Sequence, residues 1–181
     1  MTGAGRLIAV VGPSGAGKDT LLAGAMAARP GWELVRRVIT RPAGVGEDHE
    51  PVGMAEFEAR RALGQFALHW QAHGLYYGIP RPVLARVRGG ATVLFNGSRA
   101  ALPQARSVWP RLEVVMVTAP IPVLAARLSA RGRESAEAIA ARLRRSLLPP
   151  PEGARVVQND ASVDEGVARL LAVLSPSEEC A

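Results

Sequence analysis

The chain has 181 residues, of which 48% are apolar and 21% are charged, so a disordered protein is excluded and one domain with a substantial core is expected. Its formal net charge is +6, and the 22 basic residues are Lys18 and 21 arginines. Because the arginines are scattered and lack an aromatic-rich basic stripe, we expect no nucleic-acid partner, whereas small phosphorylated ligands fit the charge.

Cysteine content and apolar runs predict a cytoplasmic protein. Cys180 is the single cysteine, which excludes an internal disulfide and agrees with a reducing compartment. The first apolar run, Leu7–Val11, is too short for a signal-peptide core or a membrane span, so we expect no membrane association. Nothing in the sequence predicts an oligomeric state.

Short apolar runs alternate with helical patterns along the chain. Strands are predicted at Leu7–Val11, Leu34–Thr40, Thr92–Phe95, Leu112–Thr118 and Arg155–Gln158, and Phe66–Ala72 with the turn His73-Gly74 is predicted to form a small sheet or hairpin. Helices are predicted from the glycine-rich turn to Ala28 and at Ala55–Leu63, Pro82–Arg88, Arg99–Val108, Val123–Ala130 and Ser135–Leu147. A capping box, Ser162 with Glu165, starts a final helix, and Arg41–Gly53 is predicted to be a loop.

Continuous apolar strands that alternate with helices are typical of a parallel sheet covered on both faces. We therefore predict an α/β fold with a parallel core sheet, in a single domain over residues 1–181. The segment 41–80 interrupts the alternation and is predicted to be a small inserted subdomain.

A phosphate-binding loop follows the first predicted strand directly and opens a helix. Its residues satisfy the pattern G-x-x-x-x-G-K and are Gly12, Pro13, Ser14, Gly15, Ala16, Gly17 and Lys18. Glycines let backbone N–H groups wrap around phosphate oxygens, the helix N-terminus adds partial positive charge, and Lys18 supplies a compact cation. In a chain that uses arginine everywhere else, the sole lysine stands where a planar guanidinium does not fit. The loop predicts ATP binding and phosphoryl transfer.

The residue after the lysine departs from the usual Ser or Thr that holds Mg²⁺. It is Asp19, with Thr20 one position further. A carboxylate also serves Mg²⁺, directly or through water, so Asp19 is the candidate magnesium ligand. The alternative is that Asp19 only stabilises the helix N-terminus. Since no acid ends an apolar strand, the metal must rely on few protein ligands and on the substrate phosphates.

The order of motifs resembles guanylate kinases over nearly the whole chain. These motifs are the phosphate loop, Thr40-Arg41-Pro42, Gly46-Glu47, Tyr76-Tyr77-Gly78, Arg131-Gly132 and Val156-Val-Gln-Asn159-Asp160. The resemblance implies a P-loop three-layer sandwich, an acceptor-binding subdomain and an arginine-rich lid over residues 127–146. It also implies that Arg41 and Tyr77 contact the acceptor phosphate, that the lid residues Arg131 and Arg142 contact the transferring phosphoryl group, and that Asn159 lies beside adenine.

Positions where that family reads guanine differ in this chain. Leu68 replaces the carboxylate that the family has after Gly64-Gln-Phe. Asn96 and Ser98 replace the two acids that the family has at the end of a strand. The second phosphate-binding arginine of the loop is Gly44. A site that loses its hydrogen-bond acceptors for a base edge loses discrimination for that base.

The altered pattern resembles the ribose 1,5-bisphosphate phosphokinase family. The residues that carry this resemblance are Gly-Pro-Ser-Gly-Ala-Gly-Lys-Asp-Thr20, Thr40-Arg41-Pro42, Gly46-Glu47-Asp48-His49, Trp70-x-Ala-His73-Gly-Leu-x-Tyr77-Gly-Ile-Pro80 and Asn96-Gly-Ser98-Arg99. The resemblance implies transfer of the γ-phosphoryl group of ATP to ribose 1,5-bisphosphate. It makes Arg41 and Arg99 candidates for gripping the phosphorylated sugar, with His73 and Tyr77 as hydrogen-bonding partners and Glu47, Asn96 and Ser98 as further substrate-binding candidates.

Two other functions stay open at this point. A guanylate kinase with altered base contacts shares the fold, although Leu68, Asn96 and Ser98 argue against it. A catalytically inactive guanylate-kinase-like binding module is the second, and such a module has least reason to keep the intact loop with Lys18.

Overall fold

The computed structural model describes residues 5–44, 47–130, 140, 143, 144 and 148–175. Its strands are β1 (Arg6–Val11), β2 (Trp32–Leu34), β3 (Arg37–Ile39), β4 (His49–Pro51), β5 (Phe66–Ala72), β6 (Leu75–Pro80), β7 (Thr92–Asn96), β8 (Glu113–Thr118) and β9 (Arg155–Gln158). Its helices are α1 (Lys18–Ala28), α2 (Met54–Ala62), α3 (Pro82–Arg88), α4 (Leu102–Val108), α5 (Ile121–Ala130) and α6 (Val163–Leu174).

The chain divides into two compact units. One comprises Met1–Ala9 and Pro30–Glu113, and the other comprises Val10–Arg29 and Val114–Ala181. The first unit contains β2 to β7 with α2 to α4, and the second contains the glycine-rich loop, α1, α5, α6, β8 and β9. The single domain expected from the sequence stays a prediction.

A five-stranded sheet has the order β2-β7-β1-β8-β9. Strand β2 pairs with β7 in parallel from Trp32↔Thr92 to Leu34↔Leu94, and β8 pairs with β9 in parallel from Val115↔Arg155 to Thr118↔Gln158. Every residue of β1 after Arg6 is buried, as a strand covered on both faces requires. The predicted parallel α/β fold is confirmed.

A second sheet has four strands in the order β4-β3-β6-β5. The single strand predicted at Leu34–Thr40 is therefore wrong: the run is broken into β2 and β3, which belong to different sheets. The Val35 N–H donates to the Leu94 carbonyl oxygen and so continues the pairing of β2 with β7. The side chain of the next residue, Arg36, pairs with Asp48 instead, and the run breaks there. The predicted loop Arg41–Gly53 also contains a strand, because His49–Pro51 pairs in parallel with β3.

The predicted hairpin is confirmed by the antiparallel pairing of β5 with β6. Its two-residue turn is His73-Gly74, and both residues have positive φ, 54° and 74°. Positive φ at both central positions is the type I′ geometry, whose twist matches that of the flanking strands.

Helix α2 covers one face of the four-stranded sheet. Its Phe57 ring stacks on Phe66 of β5 at 4.7 Å between centroids, and both rings pack with Val38 of β3. Side chains alternate along a strand, so the neighbours of Val38 in β3 point to the opposite face. Burial of this small core fixes the register of the subdomain.

Local signals at the helix ends agree with the structure in part. The predicted capping box is confirmed, because the Ser162 hydroxyl accepts from the Glu165 N–H and the Glu165 carboxylate accepts from the Ser162 N–H. The helix predicted at Arg99–Val108 begins as a 3₁₀ turn over Arg99–Ala101 and continues as α4. The helix predicted at Ser135–Leu147 lies outside the described residues except at positions 140, 143 and 144.

We expect the packing of Phe66 in the core of the four-stranded sheet to require a glycine at position 78. A Cβ atom at this position would lie 2.6 Å from two carbons of the Phe66 ring. We expect Gly78→Ala to lower the free energy of unfolding by about 1–3 kcal/mol, since the ring must move in a packed core. The control is Gly31→Ala, where no atom lies within 4 Å of the added Cβ. Urea denaturation of both variants measures the difference, and equal stability would contradict this packing.

Candidate active site

The turn from β1 into α1 depends on glycines. Gly12, Gly15 and Gly17 have φ values of 146°, 85° and 84°, a region that residues with a side chain rarely adopt. A Cβ on Gly12 would lie 2.0 Å from the Val117 carbonyl oxygen, and one on Gly17 would lie 2.4 Å from Nδ2 of Asn159. The predicted loop therefore has the backbone that a phosphate-binding turn needs, and it ends at the N-terminus of the 11-residue helix α1.

Lys18 is the first residue of α1, and its side chain folds back over the loop. Its ammonium group donates to the carbonyl oxygens of Gly12 at 2.8 Å and Pro13 at 3.0 Å. These contacts hold the only lysine of the sequence inside the curve of the loop. A cation in this position, beside the N–H groups of a helix N-terminus, is suited to bind phosphate oxygens.

Asn159 holds the glycine-rich loop through a side-chain hydrogen bond. It is 5% exposed, its side-chain amide donates to the Ala16 carbonyl at 2.8 Å, and its backbone N–H donates to Thr118 at 2.7 Å. Gly166 leaves room for this side chain, because a Cβ there would lie 2.6 Å from Oδ1 of Asn159. Sequence reasoning missed this supporting contact, which joins residues 143 positions apart. A contact of Asn159 with adenine stays a prediction.

A second side chain at the loop is Arg127 of α5, which the sequence did not single out among the lid arginines. Its guanidinium approaches the Gly15 carbonyl at 3.5 Å. The lid residues that the sequence did select, Arg131 and Arg142, lie outside the described residues. Of the arginines in the predicted lid segment 127–146, the structure describes Arg127 and Arg144.

Asp19 and Thr20 lie in the first turn of α1 and are exposed. Among the residues that the structure describes, no three His, Cys, Asp or Glu side chains come close enough to hold a metal ion together. A single exposed carboxylate beside a phosphate-binding loop fits a hydrated Mg²⁺ whose remaining ligands come from substrate phosphates, and it does not fit a closed protein cage.

In the other unit, a cluster joins Arg41, Glu47 and His49. Arg41 donates from Nη1 to the Glu47 carboxylate at 2.6 Å, and the Gly44 N–H donates to the same oxygen at 3.1 Å. These contacts lower the pKa of Glu47 from 4.5 to about 2, mainly through the hydrogen bond from Arg41. His49 is 3% exposed, and its Nε2 lies 3.2 Å from the Arg41 carbonyl oxygen. The cluster thus orients the guanidinium that sequence reasoning assigned to the acceptor phosphate.

Tyr77 is held in an aromatic stack. Its ring lies parallel to Trp70 at 5.3 Å between centroids and 5° between planes, and the Arg37 guanidinium carbon lies 5.9 Å from its centroid. Trp70 is buried, whereas Tyr77 and Arg37 are partly exposed. Sequence reasoning selected Tyr77 and missed Arg37, because the adjacent arginines Arg36 and Arg37 carry no local signal that separates them.

Three predicted acceptor residues lie at or just after the carboxyl end of the buried strand β7. Asn96 ends the strand and is 7% exposed, and the Ser98 hydroxyl accepts from the Ala100 N–H at 3.3 Å as the cap of the 3₁₀ turn. Arg99 begins that turn, and partial burial lowers its pKa. The carboxyl end of a parallel strand is the usual position for ligand-binding residues in an α/β sheet.

Two further positions were singled out from the sequence: His73 lies in the hairpin turn, and Leu68 lies in the core. His73 occupies the first position of the hairpin turn and is exposed, so any role in acceptor binding stays a prediction. Leu68, at the position where a guanine-reading carboxylate was expected, is 1% exposed and belongs to the apolar core.

Two solved structures with a similar fold are named as kinases. A guanylate kinase from Anaplasma phagocytophilum superposes with a TM-score of 0.67 at 20% identity, covering 94% of this chain and 85% of the other. A gluconokinase from Sinorhizobium meliloti superposes with a TM-score of 0.56 at 19% identity, covering 95% and 93%. Together with the glycine-rich loop, the fold defines a P-loop protein of the guanylate-kinase-like class.

Relatives with similar sequences identify the family of this chain within that class. The chain is 49% identical over 175 residues to the ribose 1,5-bisphosphate phosphokinase PhnN of Ruegeria sp. (strain TM1040), covering 94% of this chain and 92% of that protein. It is 45% identical over 177 residues to the enzyme of the same name from Agrobacterium fabrum, covering 94% and 97%. This chain belongs to the ribose 1,5-bisphosphate phosphokinase family.

Some relatives are longer proteins. A bifunctional ribose 1,5-bisphosphokinase-thymidine phosphorylase from Cupriavidus pinatubonensis is 47% identical over 174 residues, and the alignment covers 93% of this chain but 29% of that protein. No protein-family model matches the chain. Within the described ranges, no helix combines the length and apolarity that crossing a membrane requires.

Glu47→Gln tests the cluster around Arg41. The pKa of Glu47 is depressed in the folded state, so its ionised carboxylate stabilises the fold above pH 4.5, and this contribution is lost as the pH falls toward 2. We expect the difference in Tm between the wild type and Glu47→Gln to be larger at about pH 6 than at about pH 3.

The matched control is Glu58→Gln, which removes one carboxylate from the surface ion pair with Arg61. Exposed pairs of this kind contribute little, so its Tm should stay close to that of the wild type at both pH values. A Glu47→Gln difference that is independent of pH would contradict the ion pair.

Proposed function

We propose that this protein transfers the γ-phosphoryl group of ATP to ribose 1,5-bisphosphate, which yields 5-phosphoribosyl 1-diphosphate and ADP. The observation that carries the proposal is the phosphate-binding loop with Lys18 held inside it, in a chain that shares 49% identity with a named ribose 1,5-bisphosphate phosphokinase over nearly its full length. The acceptor is thus a small phosphorylated sugar.

ATP is bound by its phosphates at the loop. Residues 12–17 offer backbone N–H groups, and Lys18 exchanges its contacts with Gly12 and Pro13 for oxygens of the β- and γ-phosphates. Asn159 fixes the loop through Ala16, so the loop is shaped before ATP arrives. A site shaped in advance spends less binding free energy on ordering the loop.

Asp19 is the residue we propose to hold Mg²⁺, directly or through water, beside Lys18 in the first turn of α1. When bound, the ion neutralises charge on the phosphate groups of ATP. The remaining charge of the transferring phosphoryl group is left to Lys18 and to the lid arginines, for which we propose Arg131 and Arg142.

The reaction needs no strong general base. An oxygen of the phosphate at C1 of the sugar attacks the γ-phosphorus, the bond from that phosphorus to the bridging oxygen breaks, and ADP leaves with the electron pair. The attacking oxygen is already ionised near neutral pH. Catalysis therefore comes from positioning and charge stabilisation.

We assign the acceptor to the residues of the first unit. Arg41 and Arg99 supply the charge, and Tyr77, His73, Asn96 and Ser98 supply hydrogen bonds. Glu47 holds Arg41 through the 2.6 Å ion pair, so its effect on the acceptor passes through that guanidinium.

Guanylate kinase activity is the alternative that shares this fold. It is disfavoured because the positions expected to read guanine hold no carboxylate: Leu68 lies in the core, and Asn96 and Ser98 are neutral. An inactive binding module is disfavoured by the intact loop.

Acceptor choice tests the proposed function. With Mg-ATP, we expect ADP release in the presence of ribose 1,5-bisphosphate and a rate at least about 100-fold lower with GMP, since Leu68, Asn96 and Ser98 stand where guanine-reading carboxylates were expected. A coupled assay for ADP measures both rates. GMP turnover at a comparable rate would establish the guanylate kinase alternative, and no ADP with either acceptor would establish the binding module.

Lys18→Arg tests the loop. A guanidinium is too broad for the space between the Gly12 and Pro13 carbonyls, so we expect kcat to fall by about 100-fold or more while Tm changes little. Arg29→Lys, an exchange of the same two side chains at the exposed end of α1, is the control and should keep full activity. Near-normal turnover by Lys18→Arg would show that Lys18 does not contact the phosphates.

A further inference from the structure

Phe57 of α2 packs on the face of the four-stranded sheet that carries Val38 and Phe66, and the opposite face carries a different set of side chains. In β3, Val38 points toward Phe57, so Arg37 and Ile39 point to the opposite face. The register places Ile39 opposite Tyr77 and Tyr77 opposite Trp70, and residues paired in register share a face. Arg37, Tyr77 and Trp70 therefore lie side by side on this face.

Arg37 is oriented by its neighbours. Tyr77 lies on the strand between Arg37 and Trp70, with the tryptophan stacked on its ring and the guanidinium 5.9 Å from its centroid. A guanidinium within about 6 Å of an aromatic ring centroid is attracted to the ring face, which restricts the positions that its N–H groups can reach. Partial burial also strengthens any charge-assisted hydrogen bond that those groups make.

Arg37 is connected with the cluster around Arg41. It pairs in register with His49 of β4, and the His49 ring contacts the carbonyl of Arg41 at 3.2 Å. Arg37 and Arg41 are four residues apart, so their Cα atoms are separated by at most about 13 Å in an extended chain. Two long cationic side chains at this spacing, with Tyr77 nearby, match an acceptor that carries a phosphate at each end.

We propose that Arg37 binds one of the two phosphates of the acceptor and that Arg41 binds the other, an inference that rests on the proposed function. Arg37 thereby selects a sugar bisphosphate over a monophosphate. The neighbouring Arg36 does not share this role. Its guanidinium pairs with Asp48 at 2.9 Å.

The test compares acceptor and inhibitor affinities in Arg37→Gln. We expect KM for ribose 1,5-bisphosphate to rise about 10- to 100-fold, the effect of losing a charged hydrogen bond, with KM for ATP unchanged. Ribose 1-phosphate and ribose 5-phosphate are then measured as competitive inhibitors. Each carries one of the two phosphates, so Arg37→Gln should weaken one of them by a similar factor and leave the other within about 2-fold.

Arg36→Gln is the matched control and should leave all of these constants unchanged, and Arg37→Lys should recover part of the lost affinity because it restores the charge without the planar fork. Equal weakening of both monophosphates, or an unchanged KM for the bisphosphate, would overturn the role of Arg37. If the wild-type protein does not turn over ribose 1,5-bisphosphate, the proposed function fails, and this inference fails with it.

Discussion

A Cβ atom on Gly12 would lie 2.0 Å from the Val117 carbonyl oxygen, so the chain can leave β1 for α1 only where that atom is missing. The same turn has positive φ at Gly15 and Gly17, and the Asn159 amide occupies the space beside Gly17 that a side chain would need. These close approaches give the loop one shape. Lys18 donates to two carbonyls of that loop, which holds the cation where we propose that phosphate binds.

Local signals sufficed for the loop, the hairpin and the last helix. A buried apolar strand followed by G-x-x-x-x-G-K, the dipeptide His73-Gly74, and Ser162 with Glu165 each specify their geometry within a few residues. The sequence also predicted the parallel sheet, because alternating strands and helices leave few other arrangements.

Pairing between distant segments decided what the sequence did not predict. Whether Leu34–Thr40 is one strand depends on its partners, and β2 pairs with β7 while β3 pairs with β4 and β6. Strand β4 has three residues and no apolar periodicity of its own. The bond from Asn159 to Ala16 and the choice between Arg36 and Arg37 are equally invisible in sequence, since strand direction and tertiary packing determine where each side chain points.

We propose that the choice of acceptor follows from residues of the first unit. Apolar Leu68 fills the core where a base-reading acid was expected, while Arg41 is tied to Glu47 and Arg37 packs on Tyr77. Arginines and hydroxyl groups suit phosphates and a sugar, and Leu68, Asn96 and Ser98 stand where guanine-reading carboxylates were expected. Family membership and this chemistry agree on the kind of acceptor.

Where the transferred phosphoryl group ends up is the most direct test of this account. Phosphorus NMR of the protein with Mg-ATP and ribose 1,5-bisphosphate follows every phosphate group in one sample. We predict that ADP forms together with a diphosphate on C1 of the sugar, seen as two coupled phosphorus signals, while the phosphate at C5 keeps its single resonance. Inorganic phosphate as the only new product, or a diphosphate on C5, would contradict it.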